Sequence, residues 1–274
     1  MVKTSLSKLT ILFLLLIFFE ACKTINEIAG ENYLLEKNII LKNNEELIND
    51  PIRFLSLDKP NKRILGIPFK LHLHEMASEK PDSIFEEWLR RKSKRKKLLN
   101  KILSSKQVNE IKRYKSSFNK WLKKNGEAPV FIDSSTIAKN IERFKQYYKN
   151  KGFFNTHVEV KKRLLPNQKG IVQYLIQTDN QYTIESIREE INSPALDSLY
   201  NLSFKNRLIK KGDPFNINTF EAERNRLINY FRNNGVYNFQ QNNIQFTAAI
   251  DSSGIDTKIP VLVEISNLQK REND

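Results

Sequence analysis

The side chains that could perform chemistry are few in this chain and widely separated. Its 274 residues include three histidines and one cysteine, and its eight glycines form no phosphate-binding pattern. No nucleophile, base and orienting group stand at a spacing typical of a catalytic site. We therefore expect a protein that is not an enzyme and that needs no cofactor.

His72 and His74, in "KLHLHEM", form the one candidate metal pair. The stretch "ILGIPFKLHLHEM" is typical of a strand or a short apolar loop, and on a strand the two imidazoles would share one face. Zinc sites take at least three protein ligands, and Glu75 would point to the opposite face. We therefore interpret both as surface or interface histidines, and His157 as a structural residue of a strand, and we predict no metal site.

Cys22 is the remaining reactive side chain, and its context indicates lipid attachment. Lys3 and Lys8 precede an apolar run over residues 9–19. As a helix this run spans about 16 Å, roughly half of a bilayer core, so residues 1–21 are predicted to be an export signal. Ala21 before Cys22 is typical of bacterial lipoprotein signals, and we predict an acylated Cys22 followed by a linker over 22–32. An ordinary cleaved signal that leaves a free cysteine, or an uncleaved anchor, would be the alternatives.

The positive charge of the protein is concentrated in one segment. The formal net charge is +15, and Trp88 to Lys124 contains 15 Lys and Arg with the single acid Glu110. Its densest part is "RRKSKRKK" at 90–97, with seven cations: Arg90, Arg91, Lys92, Lys94, Arg95, Lys96 and Lys97. Three interpretations stay open: a solvated helix face, a site for anionic lipid headgroups or an acidic partner, and a nucleic-acid site. An exported protein seldom meets nucleic acid, so we expect no nucleic-acid partner.

An internal repeat organises the chain. "YYKNKGFFN" at 147–155 returns as "YFRNNGVYN" at 230–238, with Gly235 in the place of Gly152. Such a cluster of aromatics and cations would suit either base stacking or the end of a helix. We favour helix ends, in which each glycine adopts the left-handed conformation and a Schellman closure brings Phe153 to Tyr148 and Val236 to Phe231.

The elements around these glycines follow the same order twice. The first helix is predicted to begin at Asp133 or Ser134, and its apolar face is Ile137, Ile141, Phe144 and Tyr148. The second is predicted to begin at Asn218, with Glu221 completing a capping box. An earlier helix is predicted within "PALDSLYNLSFKNRL", from Pro194 until "KKGDPF" ends it at Gly212. Strands are predicted at 33–41, 156–160, 171–177, 182–191, 244–250 and 259–265.

These patterns predict an α+β protein with two tandem β-α-α-β-β units. Unit one covers 33–179 and carries a basic, helix-rich insertion at about 55–127, unit two covers 180–267, and 268–274 forms a polar tail. The repeated module, the helix ends "NKGFFN" and "FEAERNRLINYFRNNGVYNF" and the start "ACKTINEIAGENYLLEKNIIL" resemble the POTRA domains in the periplasmic part of BamA/TamA-type outer-membrane proteins, in a lipoprotein form of Bacteroidetes-like bacteria. Members of that family continue into a barrel of about 16 strands of roughly ten residues each, whereas only "LQKREND" follows "LVEISN", so we expect a chain without a barrel.

The resemblance implies a non-catalytic docking module at the periplasmic face of the outer membrane, lipid-anchored, whose partners are outer-membrane protein clients or assembly-complex subunits. It also implies that the strand opening each final hairpin lies at a sheet edge, where an extended segment could add as a further strand. The candidate residues there are His157, Glu159, Ile244 and Phe246. The alternatives are a stand-alone periplasmic scaffold lipoprotein that binds a partner complex or anionic lipid through its basic insertion, and a nucleic-acid-binding protein.

Overall fold

The structure is a computed structural model that describes residues 32–81, 83, 87, 90–91, 102–251 and 256–266. The predicted signal peptide, Cys22, nearly all of the linker, the polar tail and five cations of the basic run lie outside the described residues; those five are Lys92, Lys94, Arg95, Lys96 and Lys97. In the part of the chain that the structure describes, no helix combines the length and apolar character needed to cross a bilayer.

Tertiary contacts group the chain into two compact units. One comprises the described residues of Met1–Ile39, Asp58–Thr136 and Lys162–Gln173, and the other those of Ile40–Leu57, Ile137–Lys161 and Tyr174–Asp274. The architecture is α+β, as predicted, with one four-stranded and one three-stranded sheet. The domain boundary placed between residues 179 and 180 from the sequence stays a prediction.

The four-stranded sheet has the strand order β2-β1-β4-β3. Its strands are β1 (Leu34–Lys42), β2 (Glu45–Glu46), β3 (His157–Leu165) and β4 (Lys169–Gln177). Side chains of β4 alternate between half-buried and buried along the strand, because both faces of this central strand are covered to different extents. The helices in this part of the chain are α1 (Phe69–Glu75), α2 (Ser105–Asn125) and α3 (Ser134–Asn150).

The three-stranded sheet follows the predicted order of strand, helix, helix, strand and strand. These elements are β5 (Thr183–Ile191), α4 (Pro194–Leu202), α5 (Ile217–Asn233), β6 (Ile244–Ala248) and β7 (Lys258–Ile265). In the sheet order β5-β7-β6, β5 runs parallel and β6 antiparallel to β7. Both helices contribute to one apolar core with the strands, through Leu196 and Tyr200 of α4 and Leu227 and Phe231 of α5.

The two repeated glycines end helices α3 and α5 as predicted. Gly152 has a φ of 84°, Phe153 N–H donates to Tyr148 C=O over 2.9 Å, and Gly152 N–H donates to Lys149 C=O over 3.0 Å. Gly235 has a φ of 97°, and Val236 N–H donates to Phe231 C=O over 3.0 Å. This is the hydrogen-bond pattern of the Schellman closure, and the rings of Tyr148 and Phe153 lie edge to face 5.9 Å apart.

Helix starts were predicted less well than helix ends. Asp133 is the N-cap of α3, since its carboxylate accepts from Ser135 N–H and Thr136 N–H. For α5 the predicted cap Asn218 is wrong: Asn216 caps the helix, and its side chain accepts from Asn218 N–H. The sequence "NIN" offers an asparagine on each side of one isoleucine, and either could cap by its residue type.

Two further sequence interpretations are wrong. Helix α4 begins at Pro194 as predicted but ends at Leu202, because Ser203 and the 3-10 turn Phe204–Asn206 turn the chain well before Gly212. The stretch "ILGIPFKLHLHEM" contains a tight turn closed by Ile64 and Ile67 and then helix α1, not a strand or loop throughout. The alternating apolar residues of "KLHLH" favour a strand locally, but the segment is helical, and its buried residue is Leu71.

Buried polar residues mark a second level of the repeat that was not predicted. Asn140 stands 12 residues before Gly152 (152 − 140 = 12), and Glu223 stands 12 residues before Gly235 (235 − 223 = 12). Asn140 is 0% exposed and Glu223 is 1% exposed. Each accepts a backbone N–H from an upstream leucine, Leu57 at 2.8 Å and Leu208 at 3.0 Å. The same helical position therefore holds the preceding segment in both copies.

Candidate docking edges

The aromatic clusters at the two helix ends are parts of the core. Tyr148 is 3% exposed and Phe231 is 0% exposed. Burial raises the pKa of the Tyr148 phenol well above its ordinary value, and nearby Asp50 raises it further. Base stacking needs an exposed ring face, so these two rings cannot form a nucleic-acid platform.

Strand β6 lies at an edge of its sheet, as expected, because within the described residues it pairs with β7 alone. The hydrogen bonds that flank the strand show which backbone groups face that partner. Ser266 N–H donates to Asn243 C=O, and Ala249 N–H donates to Pro260 C=O. In an antiparallel pair, backbone groups alternate between the partner and the opposite side at every residue.

This alternation places the N–H and C=O groups of Gln245 and Thr247 toward β7 and those of Ile244, Phe246 and Ala248 toward the open edge. Ile244 and Phe246 are the residues predicted from the sequence. Ala248, two residues after Phe246, has the same orientation and was not predicted. Counting on by two from Phe246 would have found it. The Ile244 N–H already donates to the Gln241 carbonyl, so at the open edge Ile244 offers its C=O, while Phe246 and Ala248 offer both backbone groups.

The residues whose backbone groups face the open edge have buried or packed side chains, and the residues bonded to β7 have exposed side chains. Ile244 is 3% exposed, and Phe246 packs on the ring of Phe220 with centroids 5.4 Å apart. The guanidinium carbon of Arg224 lies 5.4 Å from the centre of the Phe246 ring. Gln245 and Thr247 are exposed. A strand added here would therefore meet Ile244 and Phe246 through their backbone atoms only, with Gln245 and Thr247 side chains flanking it on the exposed face of the sheet.

Pro260 determines where β6 ends. It faces Ala249, and the carbonyl of Pro260 accepts the Ala249 N–H over 3.3 Å. The second bond of that pair cannot form because proline has no N–H to return. The ladder accordingly ends at Ala248, the residue opposite Val261.

Strand β3 lies at the edge of the four-stranded sheet, next to β4. It is nine residues long, and its pattern of burial leaves most side chains exposed, with Val158 as the buried exception. His157 and Glu159 lie on the same exposed face, with His157 Nε2 3.6 Å from Glu159 Oε1. Unlike Ile244 and Phe246, both candidate residues on this strand could contact a partner through their side chains.

The other histidines do not form the predicted geometry for a pair on one strand face. Both lie on helix α1, where residues two apart point to different sides. His72 Nδ1 lies 3.3 Å from Glu75 Oε2, one turn further along the helix. No group of three or more potential metal-ligating side chains occurs among the residues described by the structure.

Only the first two cations of the basic run can be placed. Arg90 and Arg91 are both exposed, and Arg91 Nη2 lies 3.7 Å from Glu87 Oε2. An exposed pair of this kind contributes little to stability. The assignment of the run to an anionic surface stays a prediction.

No protein-family model matches the chain, and no curated protein matches it. Solved structures similar to it include POTRA3-5 of Haemophilus influenzae BamA, at 13% identity and a TM-score of 0.30, covering 52% of this chain and 51% of that one. POTRA1-2 of the periplasmic domain of Omp85 from Anabaena has 8% identity and a TM-score of 0.29, covering 86% and 98%. CdiB from Escherichia coli has 9% identity and a TM-score of 0.28, covering 88% of this chain and 28% of its own.

The chain thus spans about half of the H. influenzae structure and under a third of CdiB. Because the identities and TM-scores are this low, we assign the architecture from the strand and helix order of the chain itself. That order, β5-α4-α5-β6-β7 with sheet order β5-β7-β6, is the β-α-α-β-β unit expected from the sequence.

Proposed function

We propose that this protein is a non-catalytic docking module that takes part in outer-membrane protein assembly or translocation by adding an extended client or partner segment to a sheet edge. The proposal rests on the open edge of β6 in a β-α-α-β-β unit. The resemblance of the repeated helix ends to POTRA domains supports the same role. The partners would be outer-membrane protein clients or subunits of an assembly complex.

The backbone of β6 favours a short, extended ligand. The outward N–H and C=O groups of Phe246 and Ala248, together with the C=O of Ile244, can pair with every second residue of an added strand. Main-chain bonds of this kind bind without regard to sequence, which suits a module that receives many clients. The exposed side chains of Gln245 and Thr247 would then select for polar or small residues on one face of the ligand.

Strand β3 is the second candidate edge. His157 and Glu159 would flank an added strand with one imidazole and one carboxylate. The further residues Lys161, Lys162 and Arg163 make this edge strongly basic. Lysine-rich edges are a common protection against unwanted pairing, so we assign client binding to β6 in preference to β3.

We infer that the module works at the periplasmic face of the outer membrane, tethered by a lipid on Cys22. The apolar run at 9–19 and Ala21 directly before Cys22 support this location. A tether would hold the module close to the site where its clients enter the membrane. It would thereby raise the effective concentration of clients around the module.

The alternation of backbone groups on β6 gives a direct test of strand addition. Amide hydrogen exchange of the full chain should be measured with and without an extended peptide in which apolar and polar residues alternate, as they do in strands of outer-membrane proteins. We expect Phe246 and Ala248 amides to exchange more slowly with the peptide, while Gln245 and Thr247 amides, already bonded to β7, change little.

Substitution by proline supplies the matched pair of variants. Ala248→Pro removes an outward N–H and leaves the bonds to β7, so it should weaken peptide binding and the slowing at the Phe246 amide in a folded protein. Thr247→Pro removes a bond to β7 and should destabilise the protein instead. Slowed exchange on β3 alone, or full peptide binding by Ala248→Pro, would contradict docking at β6.

A further inference from the structure

Helix α2 has an exposed apolar stripe that is independent of the docking edges. Ile111, Tyr114, Phe118 and Trp121 recur at intervals of three and four residues and so share one face of the helix. Their exposed fractions are 40%, 69%, 57% and 50%. The rings of Phe118 and Trp121 stack with centroids 5.9 Å apart and planes 12° apart. The stripe extends over about ten residues, roughly 15 Å.

A different face of α2 holds it to the rest of the protein. Leu122 is 4% exposed and Asn119 is 9% exposed. The Asn119 side chain accepts from Ser78 N–H over 2.7 Å and donates to Ser78 C=O over 2.8 Å. Leu122 follows Phe118 by four residues, so the packing side borders the apolar stripe, but the stripe residues themselves stay exposed and are not buried by that packing.

Cations line the stripe on one side. Arg113, Lys120 and Lys124 recur at helical spacing and are exposed. The whole helix contains seven Lys and Arg and one acid, Glu110, which pairs with Arg113 at 3.0 Å. A helix with an aromatic face beside a basic face is typical of segments that lie in the plane of a membrane interface.

We propose that α2 lies on an anionic membrane surface, with the apolar stripe in the boundary between headgroups and acyl chains and its cations on the headgroup phosphates. Tyr and Trp suit this boundary, since each combines an apolar ring with a polar group that stays hydrated. The cations complement anionic headgroups, whereas a partner protein would need an acidic surface around its apolar groove. This role goes beyond strand docking, because no residue of α2 belongs to β6 or β3.

Trp121 can report on its own environment. The chain has two tryptophans, so Trp88→Phe leaves Trp121 as the single emitter. The full chain carrying Trp88→Phe should be mixed with vesicles of equal parts phosphatidylcholine and phosphatidylglycerol, with and without bromine on the acyl chains. We expect a blue shift of Trp121 emission and its quenching by the brominated lipid, both weaker at high salt.

Two variants and one control separate the stripe from general adhesion. Phe118→Ser should remove the blue shift and the quenching, and Lys120→Gln combined with Lys124→Gln should weaken the interfacial population of Trp121 about tenfold or more. Tyr237→Ser, at a residue 80% exposed outside α2, should change neither. Circular dichroism of each variant establishes that the helices are intact.

The apolar run at residues 9–19 could itself bind the chain to vesicles. The measurement stays specific in that case, because Trp121 emission reports the environment of α2 and not whether the chain is bound. Emission of a water-exposed indole from vesicle-bound protein would overturn the proposal. So would equal quenching in pure phosphatidylcholine, which would remove the role of charge. A blue shift that grows with protein concentration in the absence of lipid would assign the stripe to a second copy of the chain.

Discussion

At the scale of single residues, the two repeated glycines are equivalent in conformation but not in surroundings. Both have positive φ, at 84° and 97°. A methyl group on Gly152 would lie 2.7 Å from the Phe215 carbonyl oxygen, whereas a methyl group on Gly235 would meet no atom within 4 Å. A side chain at either position would therefore strain the backbone, but only a side chain at Gly152 would also clash with a neighbouring residue.

Alanine at the two positions should therefore have unequal effects. We expect Gly235→Ala to lower the free energy of unfolding by about 1 kcal/mol, the cost of a side chain in the left-handed region. Gly152→Ala should cost at least about 2 kcal/mol, because the Phe215 backbone must also move. Urea unfolding of the full chain measures both. Asparagine tolerates positive φ, so Gly235→Asn should recover part of the loss and Gly152→Asn should not; equal effects at both sites would contradict this account.

At the scale of elements, one buried ion pair connects helix α5 to the segment that follows α4. Glu223 accepts from Arg226 Nε at 2.8 Å and Nη2 at 2.7 Å, and from Leu208 N–H at 3.0 Å. Arg226 Nη1 donates to Ser203 C=O over 3.3 Å. The hydrogen bond that Arg226 donates to the Glu223 carboxylate is the main cause that raises the pKa of Arg226, so the guanidinium stays charged. The pair holds residues 203–208 against the helix.

Removal of this carboxylate should be costly. Glu223→Ala leaves the Arg226 charge and the Leu208 N–H without their partner, and we expect a loss of about 3 kcal/mol in the free energy of unfolding. Glu142→Ala is the matched control, since Glu142 forms the same i,i+3 pair with Lys145 on helix α3 but in solvent. It should change stability by less than about 0.5 kcal/mol. Similar losses for both variants in thermal or urea unfolding would show that burial of the pair does not matter.

Elements that depend on local patterns were predicted well, and those that depend on packing were not. Gly152 and Gly235 mark helix ends because glycine, which lacks a Cβ, adopts the positive φ of a helix end without steric cost. The alternation of residue types in β7 and β4 likewise identifies these strands from the sequence alone. Helix α1 was missed because seven residues with alternating apolar letters carry no helical period. Asn140 and Glu223 were missed because a buried polar residue on an apolar face is recognised only once its partners, Leu57 N–H and Leu208 N–H, are known.

At the scale of the whole molecule, the candidate docking site was predicted only in outline. The repeat and the resemblance to POTRA domains pointed to the strands that open the two hairpins. Which backbone groups of β6 face outward depends on its register with β7, and a sequence does not contain that register. The apolar stripe of α2 was missed for a related reason, since an apolar face on a helix normally indicates core, and only its exposure reveals a surface.

The membrane tether belongs to this scale as well. Metabolic labelling with a fatty acid should mark the wild-type protein, and Cys22→Ser should carry no label, because Cys22 is the only cysteine. Fractionation should recover the wild type in the outer membrane and lose the variant from it. Label on Cys22→Ser, or an unlabelled wild type, would contradict the lipid anchor. The Trp121 measurement stays informative in either case, because it does not depend on the anchor.

Pro260 also limits self-association of the protein through the open edge of β6. An open strand edge is a template on which identical chains can stack without limit, and long flat edges are hazards for fibril formation. By ending β6 after five residues, Pro260 restricts the open edge to three outward positions. An edge of that length can hold one short guest but offers few bonds to a second copy of the chain, so a residue with no N–H to donate helps to keep this edge from becoming a seed for aggregation.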